Sequence, residues 1–150
     1  MIPMENEVEV KDGKKQNAGS IQLTFFDIFS DKTKQFGFKA VFPSGKVLAC
    51  LGDEPFNEKC RNFVQNCDYL MCEAFCLYSQ KDIFKPYEKF HSTALDAGKL
   101  AESLFAKNLI LYHTEDETLQ TRKRTYTSEA RTVFNGNIFV PDDFEVIDLK

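Results

Sequence analysis

The short run Leu109-Ile110-Leu111-Tyr112 is apolar or aromatic at every position, and it constrains the fold more than any other feature of the chain. A strand without a polar face indicates burial on both sides. The segments on either side, residues 93–106 and 118–134, are predicted to be helices. A buried strand between two helices predicts an α/β layer.

The remaining segments are short and predict mainly strands. We expect strands at residues 7–10, 21–30, 35–42, 46–51, 68–76, 138–140 and 145–149, and a further helix at residues 54–65. A Pro43-Ser44-Gly45 turn is expected to join two of the strands into an antiparallel hairpin. This order predicts an α/β fold, a mixed β-sheet with helices on one face, in a single domain over residues 1–150.

The composition excludes several classes of protein. Hydrophobic residues make up 43% and charged residues 28% of the chain, which is typical of globular proteins rather than disordered ones. No apolar run reaches 18 residues, so no membrane association is expected, and the acidic N-terminus lacks the apolar core of a signal peptide, so we expect a cytoplasmic protein. The net charge of -4 does not support binding of nucleic acid through bulk charge, although nucleic acid stays a possible partner.

Two local features have structural interpretations. The number of cysteines is odd and most lie in apolar segments, which indicates reduced, buried thiols rather than disulfides or a zinc site. The basic run Arg122-Lys123-Arg124 either contacts substrate phosphates or forms a solvated helix face balanced by Glu115, Asp116 and Glu117, and we favour the second interpretation.

Four polar residues lie at predicted element ends. Asp53, Glu73 and His113 each lie at or close to the end of a predicted strand, and His91 precedes a predicted helix. Because strand ends converge at one edge of an α/β sheet, these side chains are expected to meet there, where they can bind a cation and move protons. Taken singly, each has a simpler interpretation as a helix cap, a solvated acid or a hydrogen-bonded histidine.

The order of these segments resembles the second half of ribonuclease Z-like metallo-β-lactamase-fold hydrolases. Gly52-Asp53 matches the Gly-Asp of that family, and Cys72-Glu73-Ala74-Phe75 partly matches its His-Glu-Ala-Thr stretch. His91-Ser92-Thr93 matches its His-Ser-Thr stretch fully, and His113 matches the histidine that ends a strand. The resemblance runs from about residue 7 to the end of the chain.

The resemblance implies half of an αββα sandwich and a set of site residues. Asp53 would bridge two metal ions, zinc or manganese, and His113 would bind one of them. Glu73 and His91 would form a proton-transferring pair, and Ser92 and Thr93 would lie against the substrate. The activity implied is that of a metal-dependent hydrolase of the phosphodiesterase type.

The chain departs from the family pattern in one respect. The His-x-His-x-Asp-His signature of the first half is absent, and the segment Asp27-Ile28-Phe29-Ser30 lacks a further histidine expected near it. A two-metal site in this chain alone is therefore not expected, the chain by itself is predicted to be inactive, and it is possible that no metal binds to it alone.

The missing half also predicts an uncovered sheet face. The predicted strands of that face contain Phe25, Phe29, Phe36, Phe38 and Phe42. A face of this kind needs a partner, either a complementary chain with the N-terminal half or a second copy of this chain. The first arrangement restores a hydrolase and the second gives a non-catalytic homodimerising domain. An unrelated α/β binding module is the third hypothesis.

Overall fold

A computed structural model describes residues 8–149, which are organised around one seven-stranded sheet whose strands follow one another in sequence order. The strands are β1 (Lys15–Ala18), β2 (Ile21–Asp27), β3 (Phe36–Val41), β4 (Val47–Cys50), β5 (Tyr69–Glu73), β6 (Asn108–Tyr112) and β7 (Asn137–Phe139). Strands β1 to β4 pair in antiparallel fashion, and β4 to β7 pair in parallel. The predicted mixed sheet is thus confirmed.

The helices connect the parallel strands and lie on one face of the sheet. They are α1 (Arg61–Val64), α2 (Lys81–Phe84), α3 (Ala94–Ser103) and α4 (Leu119–Arg131). Right-handed crossovers between neighbouring parallel strands place successive helices on the same side. No helix within residues 8–149 is long and apolar enough to cross a membrane.

Helix α3 has a well-defined start and a close partner. Thr93 caps it, because its side chain accepts from the Asp96 backbone N–H while the Asp96 carboxylate accepts from the Thr93 N–H. A Cβ atom on Gly98 would lie 2.9 Å from the Ala130 carbonyl oxygen, so the glycine permits α3 to approach α4 closely. This contact fixes the helix layer above β5 and β6.

The main core lies between the helices and the sheet. Phe26, Leu70, Leu111, Tyr126 and Phe134 are among its buried members. All five cysteines are free, and four of them are buried, as the sequence predicted. The continuous apolar run of β6 divides between the two faces of the sheet, which explains why it has no polar face.

Two predicted elements at the start of the chain differ from the structure. Residues 8–10 are not a strand, and residue 7 lies outside the described residues; the first strand is β1, which pairs with β2. The predicted helix at residues 54–65 is reduced to one 3-10 turn, Glu58–Cys60, and the four-residue α1. Its start is late because the Asn57 side chain caps the turn by accepting from the Lys59 N–H.

The last predicted strand, residues 145–149, is also absent. These residues turn back over the face of the sheet that lacks helices, and Ile147 and Leu149 pack there against the buried residues of that face. Apolar residues at alternate positions therefore serve to pack on the sheet rather than to extend it.

The rest of this face is apolar and only partly covered. We call it the open face; its buried centre is Ala40, Leu48, Tyr69 and Ile110, surrounded by the half-buried Ile21, Leu23, Phe38, Phe42, Met71 and Phe139. Of the phenylalanines predicted for it, Phe38 and Phe42 lie there and Phe25 contacts Phe38. Phe29 does not lie on the open face, because β2 ends at Asp27.

The close packing of β3 against β2 and β4 gives a test of the core. A Cβ atom on Gly37 would lie 2.5 Å from Cε2 of the buried Phe26 and 2.6 Å from the Cys50 carbonyl oxygen. We expect Gly37→Ala to lower the free energy of unfolding by about 1–3 kcal/mol in urea denaturation. Gly19→Asn, at a left-handed turn with nothing near a Cβ, is the control and should change it by less than about 1 kcal/mol. Equal stability of both variants would contradict this packing.

Candidate functional site

The carboxyl ends of three adjacent parallel strands bring the predicted polar residues together. Asp53 follows β4, Glu73 is the last residue of β5, and His113 follows β6. Backbone bonding continues at these ends, since the Ala74 N–H donates to the Tyr112 carbonyl at 3.0 Å. The convergence expected from the sequence is therefore present.

His91 reaches the same place by a different route. The Phe75 N–H donates to the Ser92 carbonyl at 2.9 Å, and the Glu115 N–H donates to the Phe75 carbonyl at 2.8 Å. Residue 75 thus lies between the segments that carry His91 and His113. The centroids of the two imidazole rings are 4.9 Å apart as a result.

Asp53, His91 and His113 form a candidate metal site. Each offers a ligand atom, and these atoms all lie within 4.8 Å of one another; His113 Nε2 is 2.9 Å from Asp53 Oδ1. Carboxylate and imidazole ligands suit zinc or manganese. The residues present fit one such ion. The described part of the chain contains no other group of three such side chains.

Two contacts fix the loop that carries Asp53. The Tyr112 hydroxyl donates to the Gly52 carbonyl, which ties this loop to the strand that precedes His113. Burial raises the pKa of Tyr112, so the phenol keeps its proton and stays a donor. On the other side, the buried Glu54 carboxylate accepts from the Ser30 hydroxyl at 2.7 Å. Tyr112 was not predicted as a site residue; its position directly before His113 was the available signal.

The backbone at both metal-site loops is unusual. Gly52 has φ +80°, and a Cβ atom there would approach Ile28 Cδ1 to 3.1 Å, so glycine suits the turn before Asp53. His113 has φ +54°, a left-handed conformation that non-glycine residues seldom adopt. Strain of this kind concentrates at functional sites, where the surrounding structure maintains it.

Glu73 and His91 form a buried pair beside the candidate metal site. Glu73 Oε1 accepts from the Ser92 N–H at 2.6 Å and lies 2.7 Å from the Ser92 hydroxyl. Its Oε2 lies 3.6 Å from His91 Nδ1, and neither of these two buried atoms has a hydrogen-bond partner.

The electrostatics of this pair favour proton exchange. Burial raises the pKa of Glu73 to about 7, although the bonds from Ser92 oppose the rise. Burial and the neighbouring His113 lower the pKa of His91. The usual order of the two pKa values is therefore reversed, so the proton is held by Glu73 beside a neutral His91, and Glu73 is the group from which a proton can pass to the imidazole.

Ser92 and Thr93 have structural contacts in this fold. Ser92 bonds to Glu73, as described above, and remains half-buried. Thr93 is fully buried and its side chain caps α3. No atom of the Thr93 side chain is accessible in this structure, and its expected substrate contact stays a prediction.

Phe75 was missed as a site residue. It occupies the threonine position of the partly matched His-Glu-Ala-Thr stretch, and its ring stacks on His91 with centroids 5.1 Å apart and an interplanar angle of 21°. The ring also lies 6.4 Å from that of His113. This position in the motif was the signal that could have identified Phe75 as a support for His91.

The basic run at the start of α4 has ion-pair partners other than those predicted. Arg122 lies 2.7 Å and Lys123 2.9 Å from the Asp142 carboxylate. Lys123 also pairs with Glu145. Glu115, one of the acids expected to balance the run, instead accepts from backbone N–H groups just before α4. The basic run therefore fixes the C-terminal segment to α4.

No protein-family model matches the chain, but known proteins do. Ribonuclease Z of Bacillus cereus is 32% identical over 98 residues, which cover 65% of this chain and 31% of that protein. The metallo-β-lactamase fold protein YhfI of Bacillus subtilis superposes with a TM-score of 0.74 at 19% identity, covering 89% of this chain and 52% of YhfI. The short form of human tRNase Z superposes with a TM-score of 0.66 at 23% identity, covering 90% of this chain and 46% of that protein.

This chain has the metallo-β-lactamase fold and is similar in sequence to ribonuclease Z over 98 residues. The match spans about a third of the length of the curated ribonuclease Z relatives and about half of the two solved structures. This coverage agrees with half of a metallo-β-lactamase fold, as the motif order suggested.

The raised pKa of Glu73 predicts a dependence of stability on pH. Its pKa of about 7 in the folded chain exceeds the ordinary glutamate pKa of 4.5, so between these pH values the folded state binds more protons than the unfolded state. The free energy of unfolding contributed by Glu73 therefore falls as pH rises through this window, by on the order of 3 kcal/mol.

We expect the free energy of unfolding, measured by urea denaturation from pH 4 to pH 8, to fall in the wild-type chain relative to the Glu73→Gln variant, which retains His91. Glu117→Gln, at an exposed carboxylate, is the matched control and should follow the wild-type profile. Parallel profiles for the wild type and Glu73→Gln would rule out the raised pKa.

Proposed function

We propose that this chain carries one half of the active site of a metal-dependent phosphodiester hydrolase, and that the other half of the fold completes the site. The observation that carries the proposal is the group of Asp53, His91 and His113, whose ligand atoms lie within 4.8 Å at the carboxyl ends of parallel strands. The family relationship supports the reaction class, since its named members include ribonuclease Z and tRNase Z.

In this proposal Asp53 and His113 hold the ion, whereas His91, the third member of the group, transfers the proton. Both side chains are about half exposed, 51% and 42%, so substrate and solvent can reach them. Zinc or manganese, when bound, lowers the pKa of a bound water and stabilises charge on a phosphoryl oxygen.

The buried pair supplies the proton. Glu73 faces His91 Nδ1, which leaves the other ring nitrogen for the leaving-group oxygen. Glu73 thus orients His91 and shares its proton, while Phe75 fixes the plane of the imidazole ring. Both groups are shielded from water, so the proton is not exchanged freely with the solvent.

The site needs further ligands for two ions. The chain has two histidines, both already at the site, and no His-x-His-x-Asp-His signature. We infer that the missing ligands come from the other half of the fold and that this chain has little activity without them. The open face supports this inference, because a second sheet packed on it would bury Phe38, Phe42 and Met71.

The same face supports a second candidate function. Two copies of the chain can pair open face to open face and bury the same apolar residues by two-fold symmetry. Such a homodimer is non-catalytic, since it brings together two equivalent sets of the same residues and adds no signature histidines.

A reducing compartment suits either form of the protein. All five cysteines are free, which is usual for proteins of the cytosol and rare in oxidising compartments. We therefore propose a cytosolic location.

Metal titration separates the ligands from the proton-transferring pair. In calorimetric titrations of the chain with Mn²⁺ or Zn²⁺ at neutral pH, we expect one ion per chain. Asp53→Ala and His113→Ala should weaken binding at least about tenfold, and His91→Ala less than about threefold. Asp143→Asn, at an exposed carboxylate away from the site, is the control. A loss for His91→Ala as large as that for His113→Ala would make His91 a ligand and overturn its assignment.

Complementation distinguishes the two partners of the open face. Mixing the chain with the amino-terminal half of Bacillus cereus ribonuclease Z should give phosphodiesterase activity, which Phe38→Lys should abolish and Phe144→Lys should leave intact. Phe38 lies on the open face, and Phe144 is fully exposed. A doubled mass in sedimentation without activity on mixing would support the homodimer. A monomer without activity on mixing would contradict both.

A further inference from the structure

We propose that Lys32 binds a phosphate group of the substrate at the rim of the candidate site, through contact of its ammonium group with the phosphate oxygens. The observation that carries the proposal is the position of Lys32 between the two loops that carry Asp53 and His91. The proposal adds a residue to the proposed hydrolase, so its role in turnover rests on that proposed function. Phosphate binding itself is a property of the chain that can be measured without metal and without turnover.

Lys32 contacts the immediate neighbours of two site residues. Its Nζ atom lies 4.0 Å from Oε1 of Glu54, the residue after Asp53. The same atom lies 5.7 Å from the centroid of the Phe90 ring, and Phe90 directly precedes His91. The charge of the ammonium group also reaches the site, since it contributes, after burial and the neighbouring histidine, to the lowered pKa of His91. Lys32 therefore lies at the rim of the site, between its two loops.

The turn that carries Lys32 is held in place by one buried carboxylate. Glu54 accepts from the Ser30 hydroxyl at 2.7 Å and from the Gln35 side-chain amide at 3.3 Å. The Ser30 hydroxyl oxygen in turn accepts from the backbone N–H groups of Lys32 and Thr33, at 3.1 and 3.3 Å. Serine side chains stabilise turns through contacts of this kind. The lysine side chain is 42% exposed, but its backbone has a defined position beside the site.

The ammonium group of Lys32 keeps its donors available for a ligand. Its distance of 4.0 Å from Glu54 is longer than that of a charge-assisted hydrogen bond, which is about 2.7–2.9 Å. Within residues 8–149 the Nζ atom donates no hydrogen bond, and Glu54 is already occupied by Ser30 and Gln35. A lysine ammonium has three N–H donors on a flexible stem, so it can reach the oxygens of an incoming phosphate.

Other basic side chains in this region have closer partners or lie farther from His91. Lys34 pairs with the Asp27 carboxylate at 3.6 Å. The basic run at the start of α4 is held by acids of the C-terminal segment. Lys89 lies 5.0 Å from the centroid of the Phe75 ring, but Lys32 is the lysine whose charge lowers the pKa of His91.

A cation at this rim has a role because the charges around the site are negative. The carboxylates of Asp53 and Glu54 repel a phosphodiester, which is itself an anion, and one divalent ion would offset only part of this repulsion. Lys32 supplies a further positive charge on the solvent side of Glu54, where a substrate arrives. We therefore expect it to draw the phosphate to the site and to hold it there.

Binding of phosphate to the chain without added metal tests the assignment. The backbone N–H signals of Ser30 and Thr33 are followed by NMR during titration with inorganic phosphate and with dimethyl phosphate, a diester. We expect both anions to shift these signals and the neutral trimethyl phosphate to leave them unchanged. Lys32→Gln should weaken binding of both anions about fivefold, whereas Lys32→Arg, which keeps the charge, should change it less than about twofold.

Two matched variants separate Lys32 from the general charge of the surface. Lys34→Gln removes a positive charge from the same turn, and Lys89→Gln removes one from the segment before His91. Each should change phosphate binding less than about twofold. The proposal is overturned if neither anion shifts the signals, if Lys32→Gln binds as tightly as the wild-type chain, or if either control loses as much affinity as Lys32→Gln.

Metal binding and turnover distinguish this assignment from the proposed hydrolase. Lys32→Gln should leave the affinity for Mn²⁺ within about twofold of the wild-type value, since an ammonium group cannot bind a metal ion. In an active mixture with the complementary half, it should raise KM at least about fivefold and change kcat less than about threefold. A lowered kcat with an unchanged KM would contradict a binding role.

The two proposals can fail separately. If phosphate binding depends on Lys32 but no metal binds, the assignment of Lys32 stands and the proposed hydrolase fails. If metal binds but Lys32→Gln leaves phosphate binding unchanged, the proposed hydrolase stands and the assignment of Lys32 fails.

Discussion

The arrangement of the site depends on the backbone hydrogen bonds of residues 73–76, just beyond the end of β5. Ala74 and Phe75 bond to the segments after β6 and before α3, so one short stretch aligns His113 on one side and His91 on the other. The parallel sheet alone would place Asp53, Glu73 and His113 at one edge. Without this two-sided pairing, however, His91 would have no fixed position relative to them, and Glu73 would be a buried acid without a partner.

Much of the site could be predicted from the sequence, because strand ends in a parallel sheet meet at one edge. Asp53, Glu73 and His113 follow that rule. The contacts that orient them could not be predicted, since the Tyr112–Gly52 bond joins residues 60 positions apart and depends on strand register. The fold followed the same division. The succession of most strands along the chain and helix α3 were predictable from local patterns, whereas residues 54–65 were overpredicted as a helix because Asn57 caps a later turn.

The open face shows a second limit of local patterns. Residues 145–149 have apolar side chains at alternate positions, which suits a strand, but the same spacing lets Ile147 and Leu149 pack on a sheet face without pairing to its edge. Arg122 and Lys123 anchor this segment through Asp142, so its position is set by charge as well as by burial. Any partner of the open face must therefore pack beside this segment or displace it.

The contrast in burial between the two halves of the site gives each a separate chemical capacity. Asp53 and His113 are about half exposed, and the 2.9 Å contact between their side chains can open to admit a cation at little desolvation cost. Glu73 and His91 are buried, so their charged forms are disfavoured and a proton is retained between them. If these surroundings were exchanged, both capacities would be lost. A buried Asp53 would be hard for a cation to reach, and an exposed Glu73 would lose its proton near neutral pH. Burial thus selects which carboxylate binds metal and which carries the proton, a distinction that residue type alone does not make.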